Sequence, residues 1–369
     1  MFINKLLVML AFLTFCLGIK AEPRLQVDRA TVFKRAKSLD NGVSISGLEQ
    51  TWNDKILDKK VIKAADLELL KRLGFKSVRL PIAFAHFQDD TISMQKILKQ
   101  IDQSLKLCRL YGFKLIICYH SGNLNDNNYI TESQKVMDLW ALLTKRYVRE
   151  SADNLFFELY NEPPHMDPEK WKNAANAIIT AIRQIDKNRT LIVGASNFNS
   201  IYELSRTTPL ADENIIYTYH FYEPFFFTHQ GAGWIGDQVA TVNIPFPYDA
   251  NNWPALDPKA KGTAGEANYN KYNQDGNEQS VMDKLMIVKS WAQQYNVPIL
   301  CGEYGVYNKY ADLNSRCRYI KTVRKTLKAL DMPGMLWDYN GNFSIFDGEP
   351  SIENLPDCMK DAIGYSGKK

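Results

Sequence analysis

The sequence predicts an α/β chain folded as a single (β/α)8 TIM barrel, and three observations carry that prediction. Eight short β-like runs follow one another along the chain, helix-like stretches separate them, and several of the runs are apolar almost throughout. Parallel strands packed against helices on one face and a barrel interior on the other read as continuous apolar runs, and eight such units in roughly 320 residues suit a barrel with insertions. The competing topology is an open doubly wound sheet. It wants a GxGxxG turn after an early strand, and the sequence has none there.

The runs in order are GVSIS at 42–46, KSVRLPI at 76–82, FKLIICYH at 113–120 and NLFFELY at 154–160. The second half adds TLIVGAS at 190–196, NIIYTYHFY at 214–222, VPILCGEYG at 297–305 and MPGMLWDY at 332–339. Between them, stretches such as VIKAADLELLKRLG, ILKQIDQSLKLCRLYG and MDKLMIVKSWAQQY repeat apolar residues at spacings of three and four, the helical period. Gly74 and Gly112 stand where helix C-caps belong, each just ahead of a strand. The longest interruption, residues 223–277, is rich in aromatics, Asn, Gly and Pro and reads as a long loop after strand six. Loops of that length inside a compact domain are usually functional.

The N-terminus differs from everything after it. Lys5 precedes an apolar run, Leu6 to Ile19, and a short polar segment containing Ala21 follows. That order is the pattern of a secretory signal peptide, and the run's 14 residues fall short of the roughly 20 that span a bilayer. We therefore expect residues 1–21 to be a signal peptide and 22–369 a single barrel domain, secreted to the medium or the periplasm. Cleavage leaves Cys108, Cys118, Cys301, Cys317 and Cys358. An odd count with no CxxC argues against a zinc site and against a disulfide framework, and leaves one bridge, Cys317 with Cys358, open. The net charge of +4 is spread along the chain, without the concentrated basic patch that nucleic acid requires.

In a barrel of this kind the functional groups stand at the C-terminal ends of the strands. Strand two ends near Arg79, strand three at His120 and strand four at Asn161 and Glu162. Strand six ends at His220 and Tyr222, strand seven at Glu303 and strand eight at Trp337. Two carboxylic acids from strands four and seven can face each other across one mouth. Glycoside hydrolysis needs such a pair, one carboxyl to protonate the departing oxygen and one carboxylate to attack the anomeric carbon. A glutamate taken singly is more often a solvated loop residue. NEP after FFELY and GEYG after PILC, on correctly ordered strands, favour the pair.

FFELYNEP, HFYEP, ILCGEYG and LWDY resemble the strand-four, six, seven and eight motifs of glycoside hydrolase family 5, in clan A. VRLPI and IICYH fill the strand-two and strand-three positions, so the resemblance runs from Gly42 onward. It implies a retaining double displacement in which Glu162 matches the acid/base and Glu303 the nucleophile. Arg79 matches the family arginine that keeps the nucleophile ionised, and Tyr222 the tyrosine that donates a hydrogen bond to it. Asn161 matches the asparagine that binds the sugar 2-hydroxyl, and His120 and His220 the two active-site histidines. Trp337 would form an apolar floor beneath the sugar, which Trp52 and Trp234 could extend; the role of His229 is left open. Opposed demands follow, with Glu303 held at a low pKa by Arg79 and Glu162 protonated before the first step.

The resemblance implies an endo-β-1,4-glucanase acting on cellulose-type or mixed-linkage glucans. The same strand-end groups serve β-mannanases, xyloglucanases and exo-β-glucosidases, because outer loops select the sugar. Here GVSISGLEQTW and the FTHQGAGW insertion depart from the commonest cellulase patterns. A non-catalytic carbohydrate-binding barrel would be free to lose either glutamate, yet both are present. A phosphate-using barrel would want a glycine-rich anion site after strands seven and eight, which GEYGVYNKY and LWDYNGNF do not offer. The expected partner is a polysaccharide or oligosaccharide, met by a monomer with no cofactor, no metal, no nucleic acid and, after cleavage, no membrane.

Overall fold

A computed structural model describes residues 27–50, 62–88 and 93–367. The expected signal peptide at 1–21 and Trp52 lie outside the described residues. Each of the eight apolar runs contains a strand: β1 (Gly42–Ser44), β2 (Ser77–Ile82), β3 (Lys114–Tyr119), β4 (Leu155–Glu158), β5 (Leu191–Gly194), β6 (Ile215–His220), β7 (Ile299–Tyr304) and β8 (Gly334–Leu336). They pair in chain order, all parallel, and β8 closes onto β1. Among the described residues no helix is long and apolar enough to cross a membrane.

Strand side chains alternate between two faces, so one face of every strand looks into the barrel. At the base this face carries Ile116, Phe156, Ile192, Ile216, Leu300 and Met335. Val32, Ala36 and Leu39, from the helix Arg29–Ser38 and its C-cap, pack into the same cluster and plug the bottom. Two residues further along β3, β4 and β6 the inward face turns polar, with Cys118, Glu158 and Thr218, all buried. Two further again it reaches His120 and His220, at the rim.

The outward face packs beneath the helices as the main core. The helix Met94–Tyr111 shows how its sequence specifies this: Ile97, Ile101, Leu105 and Cys108 form one buried stripe. Gly112 then ends it with a left-handed φ of 81°, a conformation that costs glycine nothing. Cys317 and Cys358, the pairing the sequence left open, form a disulfide that ties the helix Leu313–Ala329 to the helix Asp357–Ile363. Cys108, Cys118 and Cys301 are buried free thiols.

The stretch after β6 corrects one expectation. It is not a structureless loop: it contains the short helix Phe225–Thr228, three 3-10 turns and the helix Ala264–Asp275. The sequence AGEANYNKYNQD hides that helix because only Gly265 and Tyr272 within it are buried, too few to write a helical period. Buried Phe226, Phe227, Ile244, Phe246 and Tyr272 fasten the insertion to the barrel. Gln230, fully buried, completes it by accepting from the Ile244 N–H at 2.8 Å and donating to the Ile244 carbonyl at 3.1 Å.

Candidate active site

Strand alternation alone would turn Glu303 away from the site. Leu300 faces the barrel interior, so residues 302 and 304 would follow it inward and 303 would not. The register between β6 and β7 breaks at this point: Cys301 pairs with Tyr219, but Glu303 pairs with His220, leaving Gly302 as an extra residue. That bulge swings Glu303 inward. It requires glycine, since a Cβ on Gly302 would lie 2.5 Å from Thr218 Oγ1.

Arg79 is the hub. Its wholly buried guanidinium donates through Nη1 to Glu303 Oε1 at 2.6 Å and through Nη2 to Asn161 Oδ1 at 2.5 Å. It also grips Glu158 by two bonds, Nε to Oε2 at 2.7 Å and Nη2 to Oε1 at 2.9 Å. Glu158 was not singled out from the sequence, although alternation from Phe156 places it inward. Tyr222 donates its hydroxyl to the other Glu303 oxygen, Oε2, at 2.8 Å.

Glu162 is the more open carboxyl, with its side chain 31% exposed against 5% for Glu303. His220 Nδ1 lies 2.6 Å from Glu162 Oε1 and 3.4 Å from Glu303 Oε2, so one imidazole bridges the two acids. The nearest ligand atoms of Glu162, His220 and Glu303 all lie within 4.8 Å of one another. That spacing is within the reach of one metal ion; here His220 Nδ1 is paired with Glu162 itself, and the two Glu303 oxygens with Arg79 and Tyr222. On its far side His220 Nε2 meets the Asn199 amide at 3.3 Å, and the same amide donates to the Asn161 carbonyl. Asn199 reaches them from a run of three left-handed residues, Asn197, Phe198 and Asn199, with φ of 59°, 60° and 54°. Such strain costs about 1–3 kcal/mol per residue and concentrates at functional sites. Asn199 also escaped the sequence reading; the signal was the SNFNS run, since asparagine tolerates this conformation.

The remaining candidates join the same cluster. His120 stacks on Trp337, centroids 5.6 Å apart and planes within 4°, and the Arg79 guanidinium lies 5.9 Å from the Trp337 ring. Asp338 follows Trp337 and is buried, receiving hydrogen bonds from Ser46 Oγ and from the Gly341 N–H. His229 stacks on Phe225 at 4.0 Å and sets its edge against Tyr222 at 4.8 Å, so it buttresses the tyrosine. Trp234 stands apart, 58% exposed, with its ring set edge-on against Tyr307 at 4.8 Å.

The electrostatics correct a second expectation. Glu303 does not sit low: burial pushes its carboxyl above the usual range, against the pull of His220, Arg79 and Tyr222. Desolvation in the closed barrel outweighs the neighbours, a balance no motif encodes. His220 moves up because Glu303 and Glu162 outweigh its burial. His120 moves well down through burial, Arg79 and His220, and burial alone takes His229 down to about 3. The site thus holds one imidazole inclined to charge between two acids, and two others that stay neutral.

A family model described as cellulase (glycosyl hydrolase family 5) matches residues 37–343. Endoglucanase 3 of Fibrobacter succinogenes is 31% identical over 359 residues, which cover 88% of this chain but 53% of that protein, so the chain spans about half the length of that relative. Endoglucanase C of Acetivibrio thermocellus is 30% identical over 317 residues, 81% of this chain and 90% of that protein. Endoglucanase Cel5A of the hyperthermophile Thermotoga maritima has a similar structure, with a TM-score of 0.73 at 25% identity over 90% of this chain and 99% of its own. With barrel, strand-end groups and sequence in agreement, the chain belongs to the cellulase family, glycosyl hydrolase family 5.

Proposed function

We propose that this protein is an exported endo-β-1,4-glucanase that cleaves β-glucan chains with retention of configuration. The observation that carries the mechanism is the approach of Glu162 and Glu303 oxygens to within 4.8 Å. Retaining enzymes keep their carboxyls about 5–5.5 Å apart, whereas inverting ones leave about 6.5–9.5 Å for a water. Glu303, aimed by Arg79 and Tyr222, attacks the anomeric carbon while Glu162 gives its proton to the departing glycosidic oxygen. Glu162 then takes a proton from water, which displaces Glu303 from the glycosyl-enzyme. Arg79 holds the side-chain Oδ1 of Asn161, leaving the side-chain Nδ2 to meet the sugar 2-hydroxyl, and Trp337 supplies the floor.

The choice of glucan is supported by the endoglucanase relatives, and export by the N-terminal pattern and the Cys317–Cys358 bridge. Disulfides persist in oxidising compartments. The test is a panel of carboxymethylcellulose, barley β-glucan, xyloglucan, glucomannan and mannan with product sizes recorded. Rapid shortening of the β-1,4-linked glucans is expected, and activity on mannan alone would refute the glucan assignment. A 2-fluoroglycoside should label Glu303, and label elsewhere would remove it as nucleophile.

A further inference from the structure

Glu158 is a buried carboxylate that the double displacement leaves without a task. It is 1% exposed, and it stands four positions before Glu162. Its two oxygens take the Nε and Nη2 edge of Arg79, at 2.7 and 2.9 Å. A guanidinium is planar, so a carboxylate clamped to one edge fixes both its plane and its rotation. What remains is Nη1, which meets Glu303 at 2.6 Å and Ser44 Oγ at a longer 3.5 Å.

The charges point the same way. One wholly buried cation lies between two buried carboxylates, so neither has it alone. We infer that Glu158 is a positioning residue for the nucleophile: it locks Arg79 in the orientation that aims Glu303, and it withholds part of the Arg79 charge so that Glu303 stays nucleophilic. This rests on Glu303 being the nucleophile. An undivided arginine would stabilise the free carboxylate more, slowing its attack on the anomeric carbon while making it a better leaving group in the second step. The other titratable groups around Glu303 are His220 at the end of β6 and Tyr222 just beyond it, Glu162 beyond β4 and Asp338 beyond β8, with Cys118 of β3 against Arg79 at 3.2 Å. None of them clamps the Nε edge.

The test compares Glu158→Gln and Glu158→Asp in the full chain, using an activated aryl cellobioside whose second step limits kcat. For Glu158→Gln, kcat/KM should fall about 10- to 100-fold, the scale of one lost charged hydrogen bond. The fall in kcat should be smaller, and the acid limb of kcat/KM should move to lower pH by about one unit, as Glu303 gains the whole of Arg79. Glu158→Asp keeps the charge and should leave the limb in place. An unmoved limb in Glu158→Gln, an equal shift in Glu158→Asp, equal losses in kcat and kcat/KM, or failure of both variants to fold would each overturn the proposal in favour of a structural role. Labelling of wild-type Glu303 by the fluoroglycoside is read separately, so failure here is distinct from failure of the nucleophile assignment.

Discussion

Tyr222→Phe removes one oxygen and tests how Glu303, the proposed nucleophile, is held. The lost hydroxyl donates to Glu303 Oε2 at 2.8 Å, leaving that oxygen with His220 at 3.4 Å. A hydrogen bond to a charged group contributes about 1.5–3 kcal/mol. At about 1.4 kcal/mol per factor of ten, kcat/KM should fall about 10- to 150-fold. The ring itself stays in place, because its edge contacts with His229 at 4.8 Å and Phe343 at 5.9 Å do not involve the hydroxyl. The melting temperature should therefore barely change. The pH profile gives the sign: Tyr222 pulls the Glu303 carboxyl down, so without it Glu303 protonates at higher pH and the acid limb moves up. This is opposite to the shift expected for Glu158→Gln. Steady-state kinetics on an aryl cellobioside from pH 3.5 to 8, with a thermal melt on the same sample, would measure both. Wild-type kcat/KM with an unmoved limb would refute the claim that this bond steadies Glu303.

Glu162→Ala should lose about 10²–10⁴-fold on an unactivated glucan, the range for a positioned proton donor, and far less in the first step on an aryl glycoside whose leaving group needs no proton; equal losses on both would refute the assignment. Asp338 has a pKa raised by burial to about 6, so the folded protein holds this proton where the unfolded chain releases it. Its contribution to stability is whole below about pH 4, the ordinary carboxyl range, and is lost as pH rises to about 6. Asp338→Asn can still accept from Gly341 and donate to Ser46, so it should gain up to about 3 kcal/mol over wild type at pH 8 and nothing at pH 4, as urea melts would show. Replacing Cys317 and Cys358 by serine releases a cross-link spanning 41 residues, worth about 4 kcal/mol in the chain-entropy treatment. Urea melts should show that loss, with kcat unchanged at low temperature.

The barrel was legible because its signal is local. Each strand is an apolar run, each helix a stripe such as Ile97, Ile101 and Leu105, and their alternation allows few topologies. All eight named site residues fall in one connected cluster because strand ends of a closed barrel share one mouth. Glu158 and Asn199 were missed for different reasons. Glu158 lies inside an apolar run and looks like one more strand residue, while Asn199 acts through a left-handed backbone that asparagine permits but does not announce. The helix Ala264–Asp275 went unread because its sequence lacks an apolar stripe.

The sequence by itself determined the number and order of the strands and the chemical groups that end them, since both follow from side-chain type and a period of two. Only the tertiary structure decided that Glu303 faces inward, because the bulge at Gly302 exists as a mismatch between β7 and its neighbour β6. It alone decided the direction of the Glu303 pKa, which depends on how completely the closed barrel removes water from that carboxyl. Pairing register and desolvation belong to several strands at once, and no single run of residues carries them.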